Sequence, residues 1–371
     1  MKRIIKIGMD VHSTSYTLCA AELLLDGGIN VLAIAEVAPD YKNILKFIAS
    51  LKQRFSDELM IVCGYEAGCL GYTLFRQLNN AGITCIILAP STMMSPAGKR
   101  IKTDRRDAHM IAHCMACGGY SPVHVPNASE EAVRDYIRMR DDHLTARTKV
   151  KQQINCFCLR HGFNYDGKKW NQKHRNWLKG IQIYDLNRET LDEYLLTLQY
   201  HEEKIDRFDK RIEELASADE YREKTGRLCC FLGIKTHTAL SFITETGDFS
   251  RFVNGSVYSS YLGLCPGERS SGDRTKRTRI TKAGNMHLRS LAVEAAQSIC
   301  RGAVGYKSKA LKARQNGNDP MVIEYADKAN ERLRRKYHRL IHKGKPRNVA
   351  VAAVARELTC FIWGMMTENI A

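Results

Sequence analysis

Four acidic side chains stand where the sequence pattern can bring them together. Asp10 follows the apolar run Ile4 to Met9, Glu66 follows the run Leu59 to Cys63, and Asp104 and Asp107 open a helical pattern. The first two sit at the ends of predicted strands. The other two lie three apart and share a helix face. Strand ends and a helix start can meet at one edge of an α/β sheet, where sites usually form. Carboxylates gathered there repel and raise one another's pKa. A divalent cation such as Mg²⁺ removes the repulsion and keeps positions open for phosphate oxygens. Two such ions would stabilise the attacking and leaving oxygens of a phosphodiester. Singly, the acids have plainer readings: Thr103 or Asp104 as a helix cap, Glu66 as a loop charge.

A second constellation is Leu262-Gly263-Leu264-Cys265-Pro266-Gly267-Glu268-Arg269-Ser270-Ser271-Gly272-Asp273-Arg274, followed by Lys276, Arg277, Arg279 and Lys282. A serine hydroxyl is a weak nucleophile unaided. Surrounding cations and a metal favour its alkoxide and stabilise a pentavalent phosphate. By residue type alone, a flexible phosphate-binding loop without covalent chemistry is the better reading. A further basic cluster holds Arg332, Arg334, Arg335, Lys336, Arg339, Lys343, Lys345 and Arg347, with few acids interspersed. It is expected to contact nucleic-acid backbone.

The elements that position these residues follow from periodicity. Ile4–Met9, Thr14–Leu24 and Asn30–Val37 read as an antiparallel meander, with Asp26-Gly27-Gly28 as a turn. Tyr41–Phe55 reads as a helix, Leu59–Cys63 as a strand, Gly71–Leu78 as a helix, Ile83–Leu88 as a strand and Asp104–Met115 as a helix. That order predicts a mixed sheet flanked by helices, as in RNase H-like folds. Residues 1–125 are expected to form this domain, 126–222 a helical region, and 223–371 a mainly helical C-terminal domain. Within the helical region, Leu191, Tyr194, Leu198, His201, Ile205, Phe208, Ile212 and Leu215 follow an a/d spacing. This fits a dimerising coiled coil or an ordinary bundle helix about equally. The stretch from Gly255 to Asn285 reads as loop-rich and basic. The segment Val349–Met366 reads as an apolar helix closing the core.

Bulk properties agree with these assignments. The 371 residues exceed a usual single core, and 57 Lys and Arg against 40 Asp and Glu leave a net charge of +17. Such an excess favours a polyanionic partner, because cations placed on phosphates release counterions. No apolar stretch approaches a membrane span, and Asp10 and His12 interrupt the opening apolar run, so neither a membrane nor a signal peptide is expected. The 13 cysteines, an odd number, suit a reducing cytoplasm. Cys114 and Cys117, near His109 and His113, read as helix thiols rather than half a zinc site.

Several motifs in one order resemble a known family. They are Ile-Gly-Met-Asp10-Val-His, Gly-Tyr-Glu66-Ala-Gly, Lys-Thr-Asp104-Arg-Arg-Asp107-Ala, Gly-Asp-Phe-Ser-Arg-Phe252, the Leu262–Gly272 segment, Ile-Thr-Lys-Ala-Gly-Asn285 and Gly-Lys-Pro-Arg-Asn-Val-Ala350. Together they look like the DEDD-type insertion-sequence transposases, also called bridge-RNA-guided serine recombinases, with the related Piv DNA invertases. The resemblance implies an RNase H-like (RuvC-like) domain whose four acids bind Mg²⁺, a coiled coil, and a C-terminal domain. In that domain Ser271, directly before glycine, would be the nucleophile, with Ser270 as the neighbouring alternative. It further implies a homo-oligomer (dimer or tetramer), DNA as substrate and a structured guide RNA. Where the family often has Pro-Gly-Ile-Gly, this chain has Leu232-Gly233-Ile234-Lys235, which puts a tight phosphate approach there in doubt. The competing expectations are a resolvase-like metal-dependent nuclease using water, and a non-enzymatic nucleic-acid binder.

Overall fold

Alternation along one strand organises the N-terminal part of the chain. In β1 (Arg3–Val11), Ile5, Ile7 and Met9 are fully buried on one face, so Gly8 and Asp10 belong to the other. β2 (Tyr16–Leu23) and β3 (Ile29–Val37) complete an antiparallel meander. Then come α1 (Tyr41–Arg54), β4 (Leu59–Glu66), α2 (Thr73–Asn80), β5 (Thr84–Leu88) and α3 (Asp104–Cys117). The sheet order is β3-β2-β1-β4-β5, with β1, β4 and β5 parallel. These elements come in the order expected from periodicity. The computed structural model describes residues 3–25, 27–55, 58–93, 103–270 and 276–370, which fall into two compact units, Met1–Val125 and Pro126–Ala371. Asp26 of the expected turn lies outside the described residues.

Helices cover both faces of the sheet. On the Ile5–Ile7–Met9 face, α1 buries Ile44, Ile48 and Leu51, and α2 adds Leu74 and Leu78. On the opposite face α3 lies unusually close. A Cβ on Gly8 would come 2.2 Å from the Ala112 nitrogen and 2.4 Å from the Ala108 oxygen. The buried residues of the contact beside it, Cys19, Ala21, Ala108 and Ala112, are all small, with Ile29 packed at its margin. Gly64 of β4 likewise faces the Met115 sulfur, 2.6 Å from where a Cβ would stand. Gly8→Val would therefore push α3 off the sheet. It is expected to lower stability by about 1–3 kcal/mol, the usual cost of overpacking. It should also abolish cation-induced stabilisation, checked by melts with and without Mg²⁺.

The second unit is helical. It comprises α4 (Ala128–Arg160), α5 (Gln172–Gly180), α6 (Asp185–Ala216), α7 (Asp219–Cys229), α8 (Thr236–Thr246), α9 (Gly255–Tyr261), β6 (Pro266–Glu268), β7 (Arg277–Ile280), α10 (Met286–Cys300), α11 (Lys309–Gln315), α12 (Pro320–His342) and α13 (Arg347–Met366). Asn127 and Glu130 form a capping box at the start of α4. Arg140 pairs with Asp209, His143 Nδ1 lies 3.1 Å from His201 Nδ1, and Phe157 meets Tyr194, so α4 and α6 run antiparallel. The a/d stripe of α6 buries Leu191, Leu198, Ile205, Phe208 and Ile212 within this one chain.

The loop-rich Gly255–Asn285 stretch also contains α9 and a two-stranded hairpin, β6 with β7. Its strands are short and polar, with no apolar alternation to reveal them. In addition, α13 has the length and apolarity of a membrane span, contrary to the expectation that no segment does. Its Ala350, Val354, Ala355, Leu358 and Ile362 are buried in the core with Leu228, Phe242, Leu288 and Leu333.

Candidate metal centre and basic surfaces

The close seat of α3 determines what surrounds Asp10. Gly8, Asp10 and His12 are spaced two apart and share the sheet face on which α3 lies. Ala108 and Ala112 touch Gly8, and Asp104 is one helical turn before Ala108, which carries it to Asp10. Ligand atoms of Asp10, His12 and Asp104 lie within 4.8 Å of one another. Thr103 caps the helix, its side chain accepting from Arg106 N, so the first turn presents Asp104 and Asp107. The positive end of the helix dipole partly offsets their charge.

Asp10 has one buried oxygen, Oδ2, without a hydrogen bond, and the imidazole of His12 stands beside it, Nε2 at 3.3 Å. Its pKa stands above the ordinary value. Burial is the largest cause, His12 opposes it, and Asp104 and Asp107 add to it. A buried carboxylate oxygen without a hydrogen bond, beside an imidazole and a second carboxylate, has the donor set of a divalent-cation site. The residues present fit a divalent ion. Glu66 ends β4, and β1 pairs with β4 at Met9–Tyr65, so Glu66 stands one register step on, beside Asp10. It alternates with Gly64 and therefore belongs to the α3 face. Its side chain is exposed, that of Asp107 is half-buried, and both lie outside the close cluster.

The structure thus brings Asp10 and Asp104 into contact range and places Asp107 within electrostatic reach and Glu66 on the neighbouring strand. Sequence reasoning missed His12 as a member. The signal was an Asp-x-His pair at a strand end, which period-two alternation puts on one face. Of the thiols, Cys114 is fully buried and Cys117 is exposed, 3.8 Å from His113 Nε2.

In the second unit, Arg269, Lys276, Arg277, Arg279 and Lys282 are all exposed on or beside the β6–β7 hairpin. Arg269 N donates to the Lys276 carbonyl at 2.9 Å and closes it. Ser270 Oγ donates to Glu268 at 2.7 Å. Ser271 and Arg274 lie outside the described residues. The hairpin is anchored from below. Asn285 donates to Glu245 Oε2 at 2.8 Å, and Arg289 donates to the carbonyls of Leu262 and Ala283.

Arg334 corrects an expectation. It is 5% exposed and donates to the carbonyls of Ile299, Ala303 and Tyr306, where α10 ends. It completes a helix C-terminus and cannot reach a phosphate. Arg335 is exposed and paired with Glu331, and Lys345 is exposed. Arg332 and Lys336 share Glu357 of α13, an acid too distant in sequence to count when the α12 cluster is read alone. Gly233, in the departed turn, packs within 2.4 Å (from an added Cβ) of the Ala295 oxygen, so its role there is helix packing.

A mixed α/β unit with an acid cluster suited to a divalent ion is joined in one chain to a helical unit with exposed basic residues, a combination suited to a polyanionic partner. Comparison with known proteins narrows it. Residues 7–162 match a family of DEDD type described as Transposase, and residues 227–311 match one described as Transposase IS116/IS110/IS902 family. The chain is 34% identical over 364 residues to the y4qE protein of Sinorhizobium fredii, covering 98% of this chain and 88% of that one. It is 32% identical over 351 residues to the transposase for insertion sequence element IS1533 of Leptospira borgpetersenii, covering 93% and 99%. The transposase for IS1111A of Coxiella burnetii is 24% identical over 306 residues, covering 81% and 79%. The chain belongs to the IS110 family of insertion-sequence transposases, enzymes that cut and rejoin DNA.

Proposed function

We propose that the first unit is an RNase H-like (RuvC-like) nuclease domain in which Asp10, Glu66, Asp104 and Asp107 hold Mg²⁺ for DNA strand cleavage and joining. The observation that carries this reading is the buried, unbonded oxygen of Asp10 beside His12 and Asp104. Three carboxylates and a strand-end glutamate favour a hard cation. When bound, such an ion would polarise the scissile phosphate and offset developing charge. The protein's own part is to hold the acids at one sheet edge, with α3 rigidly seated on Gly8.

We further propose that Ser271 is the nucleophile. Its Oγ would bond to phosphorus as the bond to one DNA oxygen breaks, and that oxygen takes a proton. The serine proton passes to solvent or a neighbouring carboxylate. Support comes from the basic hairpin around the Ser271 position and from the ordered motifs of the resemblance. That resemblance also underlies the proposals of a homo-oligomer and of a structured guide RNA supplying specificity by base pairing. The hairpin cations Arg269, Lys276, Arg277, Arg279 and Lys282, with Arg274, would contact phosphates. The free thiols fit a reducing cytoplasm.

A second reading is that water attacks and no serine adduct forms. It is favoured by the acid cluster, because a water activated by a bound metal needs no protein nucleophile. Denaturing gels with labelled DNA separate the two. A covalent protein–DNA adduct is expected from the unaltered chain and none from Ser271→Ala, which should keep DNA binding. Adducts retained in Ser271→Ala overturn the serine assignment. Cleavage that persists without any adduct establishes the water route.

A further inference from the structure

We propose that a groove between α9, α12 and α13 binds a single-stranded polynucleotide, with phosphates at its basic end and one unstacked base at its aromatic end. The basic end is an open cleft of about 750 Å³ in which six cations face two carboxylates, Glu331 and Glu357. Among the described residues, Arg339 and Arg356 of this cleft have no acidic partner, so their charge is available to a ligand. A second cleft of about 550 Å³ shares Arg332, Arg356 and Glu357 with the first, which makes the two one continuous groove.

The second cleft differs in chemistry. Tyr325 and Phe361 line it, their rings edge to face with centroids 5.7 Å apart. Cys265 and Ser259 line it as well. Its wall exists because Gly255 lets α9 press against α13, where an added Cβ would stand 2.9 Å from Cys360. An aromatic wall continuous with a run of cations suits a ligand with a flat face and an anionic backbone, which describes a nucleotide with its base unstacked. A phosphate-binding stretch leading to such a pocket is how single strands are held without sequence reading. A duplex keeps its bases stacked and cannot fill it. Cys265 directly precedes β6, so a strand held here lies at the root of the hairpin that leads to Ser271.

The proposal rests on the transposase reading for the identity of the polyanion and adds where one strand lies. The test uses the full chain carrying Asp10→Asn, so that binding is measured without cleavage. Oligonucleotides of about 12 residues, of DNA and of RNA, are compared with a duplex by fluorescence anisotropy. Single strands are expected to bind more tightly than duplex, and whichever of DNA or RNA binds better identifies the source. Arg339→Ala with Arg356→Ala should weaken single-strand binding about tenfold and flatten the log–log salt slope by about 1.4. Phe361→Leu, which keeps apolar bulk, should weaken it by about fivefold through lost stacking. 5-Iodouracil in the strand should photocrosslink to the peptide containing Tyr325 or Phe361. Unchanged affinity in the arginine pair, or crosslinks confined to other peptides, overturns the groove. If binding then depends only on Arg277 and Arg279, the groove falls and the transposase reading stands. Failure of every form to bind any polynucleotide sinks both.

Discussion

Replacing Asp10 with asparagine is expected to raise the melting temperature of the metal-free protein at neutral pH while removing DNA strand transfer. The direction follows from linkage. The folded carboxyl has a raised pKa, because burial and the neighbouring Asp104 and Asp107 outweigh His12. A carboxyl raised in the fold contributes stability below its unfolded pKa, and that contribution is lost as pH rises through the folded value. At pH 7 the charged form is therefore a burden on the metal-free fold, and asparagine relieves it. The gain of the variant over the unaltered chain should grow from pH 4 to pH 7. Mg²⁺ reverses the ranking, because a ligand that binds only the folded state stabilises it and asparagine weakens that binding. Loss of a group that stabilises transition-state charge typically lowers rate about 10²–10³-fold. Melts across pH, with and without Mg²⁺, and a strand-transfer assay check this. Equal Mg²⁺ stabilisation of both proteins would remove Asp10 from the metal centre.

Glu245→Ala is expected to unfold the second unit most severely of any single change proposed. Glu245 has a side chain 1% exposed. It receives Arg138 Nε at 2.7 Å and Asn285 Nδ2 at 2.8 Å, with Arg134 Nη2 at 3.4 Å. Its pKa is lowered. Burial, the largest influence, acts upward, but the Arg138 and Asn285 hydrogen bonds and the two arginine charges outweigh it. Removing the carboxylate takes a charge-assisted partner from the mostly buried Arg134 and from Asn285, while Arg138, about half exposed, regains water, so the cost is about 1–3 kcal/mol. All three tryptophans, Trp170, Trp177 and Trp363, lie in the second unit, so their fluorescence in a urea titration reports it alone. The variant's midpoint should fall steeply, and Glu245→Gln, which keeps the shape but not the charge, should fall less. Acid should weaken the same unit. A carboxylate depressed in the fold contributes stability above its unfolded pKa, and that is lost as pH falls through the folded value. An Ala variant with an unchanged midpoint would mean that Glu245 does not hold the hairpin base.

Asn285 shows how far sequence reading reaches. It was legible as part of a motif, but its partner is Glu245, forty residues earlier and buried in α8. No local pattern in Thr236–Thr246 marks that glutamate as a hub, because its partners come from α4 and the start of α10. Arg334 failed for the same reason. It shares a helix with exposed Arg335, and only the packing of α10 decides that one is buried and the other is not.

Period-two alternation in the apolar strands, the apolar faces of α1 and α6 and the Thr103 cap were written in local residue order, because each depends on neighbours within a turn or a pleat. So was the set of acids at element ends. Which of those acids touch was settled by tertiary contact: Gly8 admits α3 to within backbone distance, and that seat delivers Asp104 to Asp10 and His12. Distances between side chains far apart in sequence depend on how closely two surfaces pack. Local propensity does not encode that closeness.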